Sequence, residues 1–517
     1  MKSVKATMHA SSLQKQILFV LVLLVPSFLL AQEKKTPPKP SAPAPKASAP
    51  ARGSTPAQHS TTTPGRTTPG TGASRTGNNT PNRPGAGGNN SGRTTPNNMG
   101  RTGGNGSTGR TVGNNVGGRG AAPGRQVSLR GGGSASIRPN GQIRSVNRNG
   151  MQIQRGMHGG RTVVSTRNGV RVVSSGRGGY VQRAYVVRGG RSYYSRTYYY
   201  HGVYRTGVYR GYYWGGRPYY GYYPGYYYQP AYYGWAYNPW PAPVYYGWGW
   251  GGAPWYGYYG PYYAPYPVYP TAAFWLTDFM IAATLQAAYE AQATSWLGPN
   301  AADGTLVASL LPMAAADSEP AKLSPEVKQA LSDEVKASLA AEQAEAAKGN
   351  ATANSSGGQP ANSNEAPPAL DPNFRTFMVA SDMSLIADGD ECALSQGDVI
   401  QRITDTADGD GNVNVKVVAS TKSDCAIGKQ GPVAVDDLQE MYNHFREQLK
   451  DGMGELAKKQ GTGGLPKAPD TSTKDGDVPA PPPDKNAEKA LTDQQSAADQ
   501  AETEVKQEAG SGSGGAQ

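Results

Sequence analysis

The chain has 517 residues, among them 68 glycines, 41 prolines and 32 tyrosines, and only 17% are charged. That much glycine and proline excludes a string of three or four ordinary close-packed domains. The formal net charge of +12 suggests a uniformly basic protein, and its distribution excludes that too. From Gln32 to Pro270, 25 arginines and 4 lysines stand against a single acid, Glu33, and residues 34–277 contain no Asp or Glu. From Thr271 to Gln517 the balance reverses, with 37 acidic and 18 basic residues. A basic half is joined to an acidic half, and attraction between them is one consequence to test.

Residues 1–31 read as a secretory signal peptide. Lys2, Lys5 and Lys15 form a positive leader, Ile17 to Leu30 is apolar but short of the ~20 residues of a bilayer span, and Ala31 suits cleavage. An uncleaved anchor is the alternative. The expected destination is the periplasm, the outer membrane or the extracellular space. Cys392 and Cys425 are the only cysteines, and an even pair in an exported chain favours a disulfide.

Residues 32–125 are runs of Pro, Thr, Gly, Asn, Ser and Arg with almost nothing aliphatic to bury, so a disordered basic linker is expected. From Gln126 the pattern changes. Turn dipeptides stand at Asn140-Gly141, Asn149-Gly150, Gly159-Gly160, Asn168-Gly169, Gly178-Gly179 and Gly189-Gly190, with β-prone pieces such as RTVVST, VRVVSS and RSYYSRTYYY between them. Strands of about six residues joined by two-residue turns fit this spacing, which predicts an antiparallel hairpin meander over 126–213.

Tyr180 to Tyr269 holds 30 of the 32 tyrosines. The Tyr/Trp/Gly/Pro-rich stretch 214–270 is broken too often for a long helix or central strand. Its rings are either an adhesive surface or an irregular coil packed on the meander. Residues 271–298 form an Ala-rich apolar helix with Asp278 and Glu290 as its only charges. It packs on the aromatic segment or contacts a membrane surface. A linker, 299–323, leads to a second helix at 324–348, capped by Ser324, with Val327, Leu331, Val335 and Leu339 in one stripe. After a linker at 349–370, residues 371–456 are the candidate for a small α+β domain, ending in a helix that Asp436 and Gln439 open as a capping box. Residues 457–517 read as a disordered tail. The expected class is thus mostly disordered, low-complexity chain with a β-hairpin meander, two helical segments and a small α+β C-terminal domain.

The search for catalytic motifs is negative: HExxH, CxxC, a Walker loop and GxSxG are all missing from the sequence. A Cys392–His444 nucleophile pair is explained more simply by a disulfide and a surface histidine. The segment DTADGDGNVNVKV, aligned on Gly411, puts Thr406 and Val417 where a calcium loop needs acids, so a hairpin turn is expected, with no metal or cofactor. Arginine with tyrosine can hold anions and stack rings. The candidate interaction residues are Arg161, Arg171, Arg183, Arg188, Arg205 and Arg210 with Tyr198, Tyr212 and Trp214. Their expected partners are anionic polysaccharide or another envelope polyanion, nucleic acid only outside the cell, or a second copy of the chain.

The path FMVASDMSLIADGDECALSQGDVIQRI…DLQEMYNHFREQL, with LSPEVKQALSDEVKASLAAEQ and YGWAYNPWPAPVYYGWGWGGAPWYGYYG, resembles a set of uncharacterised exported bacterial proteins with a Gly/Arg/Tyr-rich N-terminal half. The resemblance covers roughly Gln126 to Leu456 and implies no activity. Within it, LSQGDVIQRI and the strand after the DGDG turn resemble a bacterial Src-homology-3-type small barrel, without the aromatic ligand groove of such barrels. The function expected is that of a non-enzymatic envelope or matrix protein. The alternative is an assembly or adaptor factor that binds a protein partner through the C-terminal domain.

Overall fold

The computed structural model describes residues 124–175, 178–200, 202–297, 322–348 and 364–511. All of them belong to one compact unit, Gly106–Gln517. The expectations for the leader at 1–31, for the basic linker up to residue 123 and for most of the linkers at 299–323 and 349–370 lie outside the described residues.

Ten strands pair in strict chain order: β1 (Arg125–Ser128), β2 (Ser134–Ile137), β3 (Ile143–Arg148), β4 (Met151–Arg155), β5 (Arg161–Arg167), β6 (Val170–Ser175), β7 (Gly178–Arg188), β8 (Arg191–Tyr200), β9 (Val203–Trp214) and β10 (Arg217–Tyr223). The meander therefore runs past 213 and takes in the start of the aromatic segment. Asn149 (φ 50°) with Gly150 (φ 73°), and Asn168 (φ 51°) with Gly169 (φ 75°), supply the paired positive angles of tight hairpin turns. The expected turn at Gly178-Gly179 is instead inside β7. A Cβ on Gly179 would lie 2.5 Å from Leu491 Cδ2 and 2.7 Å from the Val173 carbonyl oxygen, so this glycine serves a close approach rather than a turn.

The aromatic segment and the chain beyond it build the body. Its helices are α1 (Pro230–Tyr237), α2 (Pro254–Tyr259), α3 (Ala272–Leu297), α4 (Pro325–Lys348), α5 (Val435–Lys459) and α6 (Ala487–Ser511). A four-stranded sheet has the order β12 (Thr376–Met378), β15 (Val399–Arg402), β16 (Asn412–Ala419), β17 (Gln430–Ala434). β13 (Met383–Ala387) and β14 (Asp390–Leu394) form a separate hairpin, and β11 (Tyr226–Tyr228) pairs with β18 (Thr473–Asp475). The DGDG sequence is the turn between β15 and β16, where Asp408 accepts hydrogen bonds from the Asp410 and Asn412 amides at 3.0 and 2.8 Å.

Much of the segment 214–270 is packed inside the protein. Tyr232, Tyr233, Tyr259, Tyr262, Tyr263 and Tyr269 are all buried. One core cluster runs from Tyr219 to Ala468 and includes Trp275, Leu385, Val415 and Leu449. The interior of residues 371–456 is shared with tyrosines from the first half, among them Tyr219, Tyr232 and Tyr269. The helix at 271–298 is α3. Trp275, Leu276, Met280, Ile281 and Leu285 on it are buried inside the protein, and Ile281 and Leu285 pack with Tyr259, Tyr262 and Tyr263 of the aromatic segment. Among the described residues, no helix is long and apolar enough to cross a membrane. Asp278 on α3 is fully buried and ion-paired to Lys328 on α4 at 2.9 Å, and Tyr269 Oη donates to it at 2.8 Å. The capping box at Asp436 is not formed. α5 starts one residue earlier, and Gln439 instead accepts from the Ala369 amide and donates to Asn443.

Cys392 on β14 and Cys425, in the loop between β16 and β17, form the expected disulfide, with Cα atoms 5.0 Å apart. It ties the β13–β14 hairpin to the four-stranded sheet. The tail departs most from expectation. Residues 457–511 include β18 and the 25-residue α6. Low hydrophobicity suggests disorder there, but order comes from distant partners: Leu465 and Ala468 enter the main core, and Val478 packs with Tyr193 and Val208.

Candidate functional site

The meander is a middle layer. Side chains alternate between its two faces, and the two long C-terminal helices take one face each. Val181 packs with Ala487 and Leu491 of α6, whereas the neighbouring Tyr180 hydroxyl donates to Glu440 of α5 at 3.1 Å. The register Ala135, Val146, Ile153, Val163, Ser174 runs across five strands as one buried row beneath α6.

On the α5 face, Arg196 is the centre. Its side chain is wholly buried and sits between the Tyr180 and Tyr209 rings, 4.2 and 3.8 Å from their centroids. It donates to both carboxylate oxygens of Glu440 at 2.7 Å and, through Nε, to Gln182 at 2.7 Å. Burial would raise the Glu440 carboxyl, but Arg196 outweighs burial and holds it below the ordinary value. Burial pushes Tyr180 up to about 12. Tyr198 donates to Glu447 at 3.0 Å, Tyr209 donates to the same carboxylate, and burial raises Glu447.

On the α6 face an arginine ladder meets carboxylates. Arg148 pairs with Glu504, Arg161 with Asp499, and Arg155 with Glu502 at 2.5 Å. Arg155 and Arg161 are direct cross-strand partners. The Arg130 amide donates to Glu508 at 2.9 Å, and Arg125 donates to the Ala509 carbonyl at 3.1 Å. Arg183 holds Asp484 at 2.6 Å, just before α6. At the end of the sheet near β1, Arg138 and Arg144 converge on Glu391 of β14, each at 2.8 Å. Burial opposes the ionised form of Glu391, yet the hydrogen bonds from the two arginines hold it down to about 2.

The predicted interaction residues divide between these surfaces. Arg161, Arg183 and Arg188 lie on the tail side, where Arg188 donates to the Asp477 carbonyl. Arg171, Arg205 and Tyr198 lie on the α5 side. Arg171 stands 5.9 Å from the Tyr220 ring, and Arg205 pairs with Asp451 at 2.7 Å. Arg210 pairs with Glu365 above the Tyr212 ring, and Trp214 packs against the main core. The sequence reading missed Arg138, Arg144, Arg148, Arg155 and Arg196. The register of the Asn-Gly hairpins was the signal that could have aligned them. His444, expected at the surface, is half-buried with Nε2 enclosed, and burial pushes its imidazole down to about 4. His158 finds an acid only in space, 2.7 Å from Asp424.

Comparison with protein families, with characterised proteins and with solved structures finds no match to this chain.

Proposed function

We propose that this is a non-enzymatic exported protein of the bacterial envelope or extracellular matrix, binding anionic polymers through its arginine-rich β-meander. One observation carries the reading. Between Gly124 and Ser175, strands β1 to β6 and the turns that join them hold nine arginines and no acid, and the sheet sets the seven in its strands at fixed register. Planar guanidinium groups on a rigid sheet match carboxylate or phosphate groups in two-point fashion. The leader pattern and the paired cysteines support export. A separable adaptor domain has less support, since the C-terminal core shares tyrosines with the first half.

The test is retention of the purified protein on an immobilised anionic polysaccharide and on double-stranded DNA across a salt gradient. Binding at low salt that falls steeply with ionic strength is expected. No retention on either polymer at low salt, with no self-association, would overturn the proposal.

A further inference from the structure

We infer that α6 is a built-in competitor, an acidic helix that occupies the arginine face and is displaced by a carboxylate-rich polysaccharide. The inference rests on the polyanion reading above and adds the face, the ligand class and the control.

The helix carries six acids and two lysines. Its contact row is Ala487, Leu491, Gln494, Ala498, Ala501 and Val505, and all of these are buried. Four residues of that row are alanine or glutamine, so little apolar surface holds the helix down. α5, by contrast, buries Leu438, Met441, Phe445, Leu449, Met453 and Leu456. What α6 does present is a line of carboxylates that meets Arg148, Arg155 and Arg161, assisted by Gln494, which donates to the Val172 carbonyl at 2.7 Å. Two of the three pairs are partly solvated: Asp499 keeps 67% of its side chain exposed and Glu504 48%, whereas Glu502, paired with Arg155, keeps 5%. Partly solvated pairs are individually weak and screened by salt. A segment held this way opens well below global unfolding.

The seam is also open at one point. A cleft of about 280 Å³ lies along it, lined by Arg148, Met151, Arg167, Gln500, Ala501 and Glu504. Two arginines there face a gap that a carboxylate can enter while the helix is still seated. Because α6 meets the ladder with carboxylates, the ligand that replaces it most directly is a polyuronate rather than a nucleic acid.

The experiment uses the full chain and polygalacturonate, with neutral dextran and double-stranded DNA as comparison polymers. The Asp499→Asn, Glu502→Gln, Glu504→Gln variant loosens the helix. A control variant with the same charge change, Asp333→Asn, Glu345→Gln, Asp388→Asn, lies on other elements. The α6 variant is expected to bind polygalacturonate about tenfold more tightly than the control variant. In the unmodified protein, polygalacturonate is expected to speed hydrogen exchange in 487–511 and leave α3 and α5 unchanged. If all three proteins bind equally and α6 exchange does not respond, the inference falls while the polyanion reading stands. If none binds polygalacturonate or DNA, both fall. Tighter binding of DNA than of polygalacturonate by the α6 variant overturns the ligand class.

Discussion

Replacing Arg196 by methionine tests whether α5 is clamped to the meander as described. The substitution keeps much of the packing volume between the Tyr180 and Tyr209 rings, so the loss is mainly electrostatic. Three hydrogen bonds of 2.7 Å disappear, two to Glu440 and one to Gln182. Breaking a buried ion pair by removing one partner costs about 3–5 kcal/mol, mostly because the other charge is stranded. Here the stranded partner, Glu440, keeps 35% of its side chain exposed, which points to the lower end, about 3 kcal/mol. The measurement is urea denaturation followed by tryptophan fluorescence. Arg196→Met with Glu440→Leu, which removes both charges, is expected to recover most of the loss. A single variant within about 0.5 kcal/mol of the parent, the scatter of ordinary surface changes, would refute the clamp. So would a double variant as unstable as the sum of its parts.

Three further outcomes follow from the same structure. Lys328→Met strands the fully buried Asp278 and is expected to cost about 3–5 kcal/mol in urea denaturation, with Asp278→Leu in the same chain restoring most of it. Glu391 is held at about 2, below its ordinary 4.5, so its contribution is full above pH 4.5 and is lost as pH falls through 2. That contribution is about 3 kcal/mol at most, and Glu391→Gln should flatten the stability profile across that window and lower stability above it. Cys392 and Cys425 are 33 residues apart, and replacing both by serine is expected to cost about 4 kcal/mol on the chain-entropy account, read from the denaturation midpoint with and without reductant.

What the sequence disclosed was the locally determined part. Asn149-Gly150 and Asn168-Gly169 fix their hairpins through backbone angles that few other residues accept, so the meander was legible. α3 and α4 were legible because alanine content, Ser324 and the Val327 to Leu339 stripe act within a few turns. The aromatic segment was not, since proline and glycine break regular structure without deciding whether tyrosines such as Tyr263 and Tyr269 are buried. α6 escaped for a related reason. Its contact row repeats every three or four residues, but alanine fills half of it, and composition alone does not distinguish that from a solvated helix. Its partners lie more than 300 residues away, as in Arg155 with Glu502. Arg196 was hidden among equals: nothing local separates it from the arginines nearby, and only the sheet register brings it to Glu440.

The order of the parts along the chain has a consequence for how the protein is made. All ten strands of the meander are complete by Tyr223, but the helix that covers one face begins at Val435 and the other at Ala487. Synthesis at about 5–20 residues per second leaves roughly 10–40 s between the last strand and the first cover. During that interval hairpins can close between neighbours, because each pairing is local, but Tyr180, Val163 and the guanidinium ladder still face solvent. The nascent first half is then a sticky, positively charged ribbon. A chain stopped short of residue 435 would stay in that state.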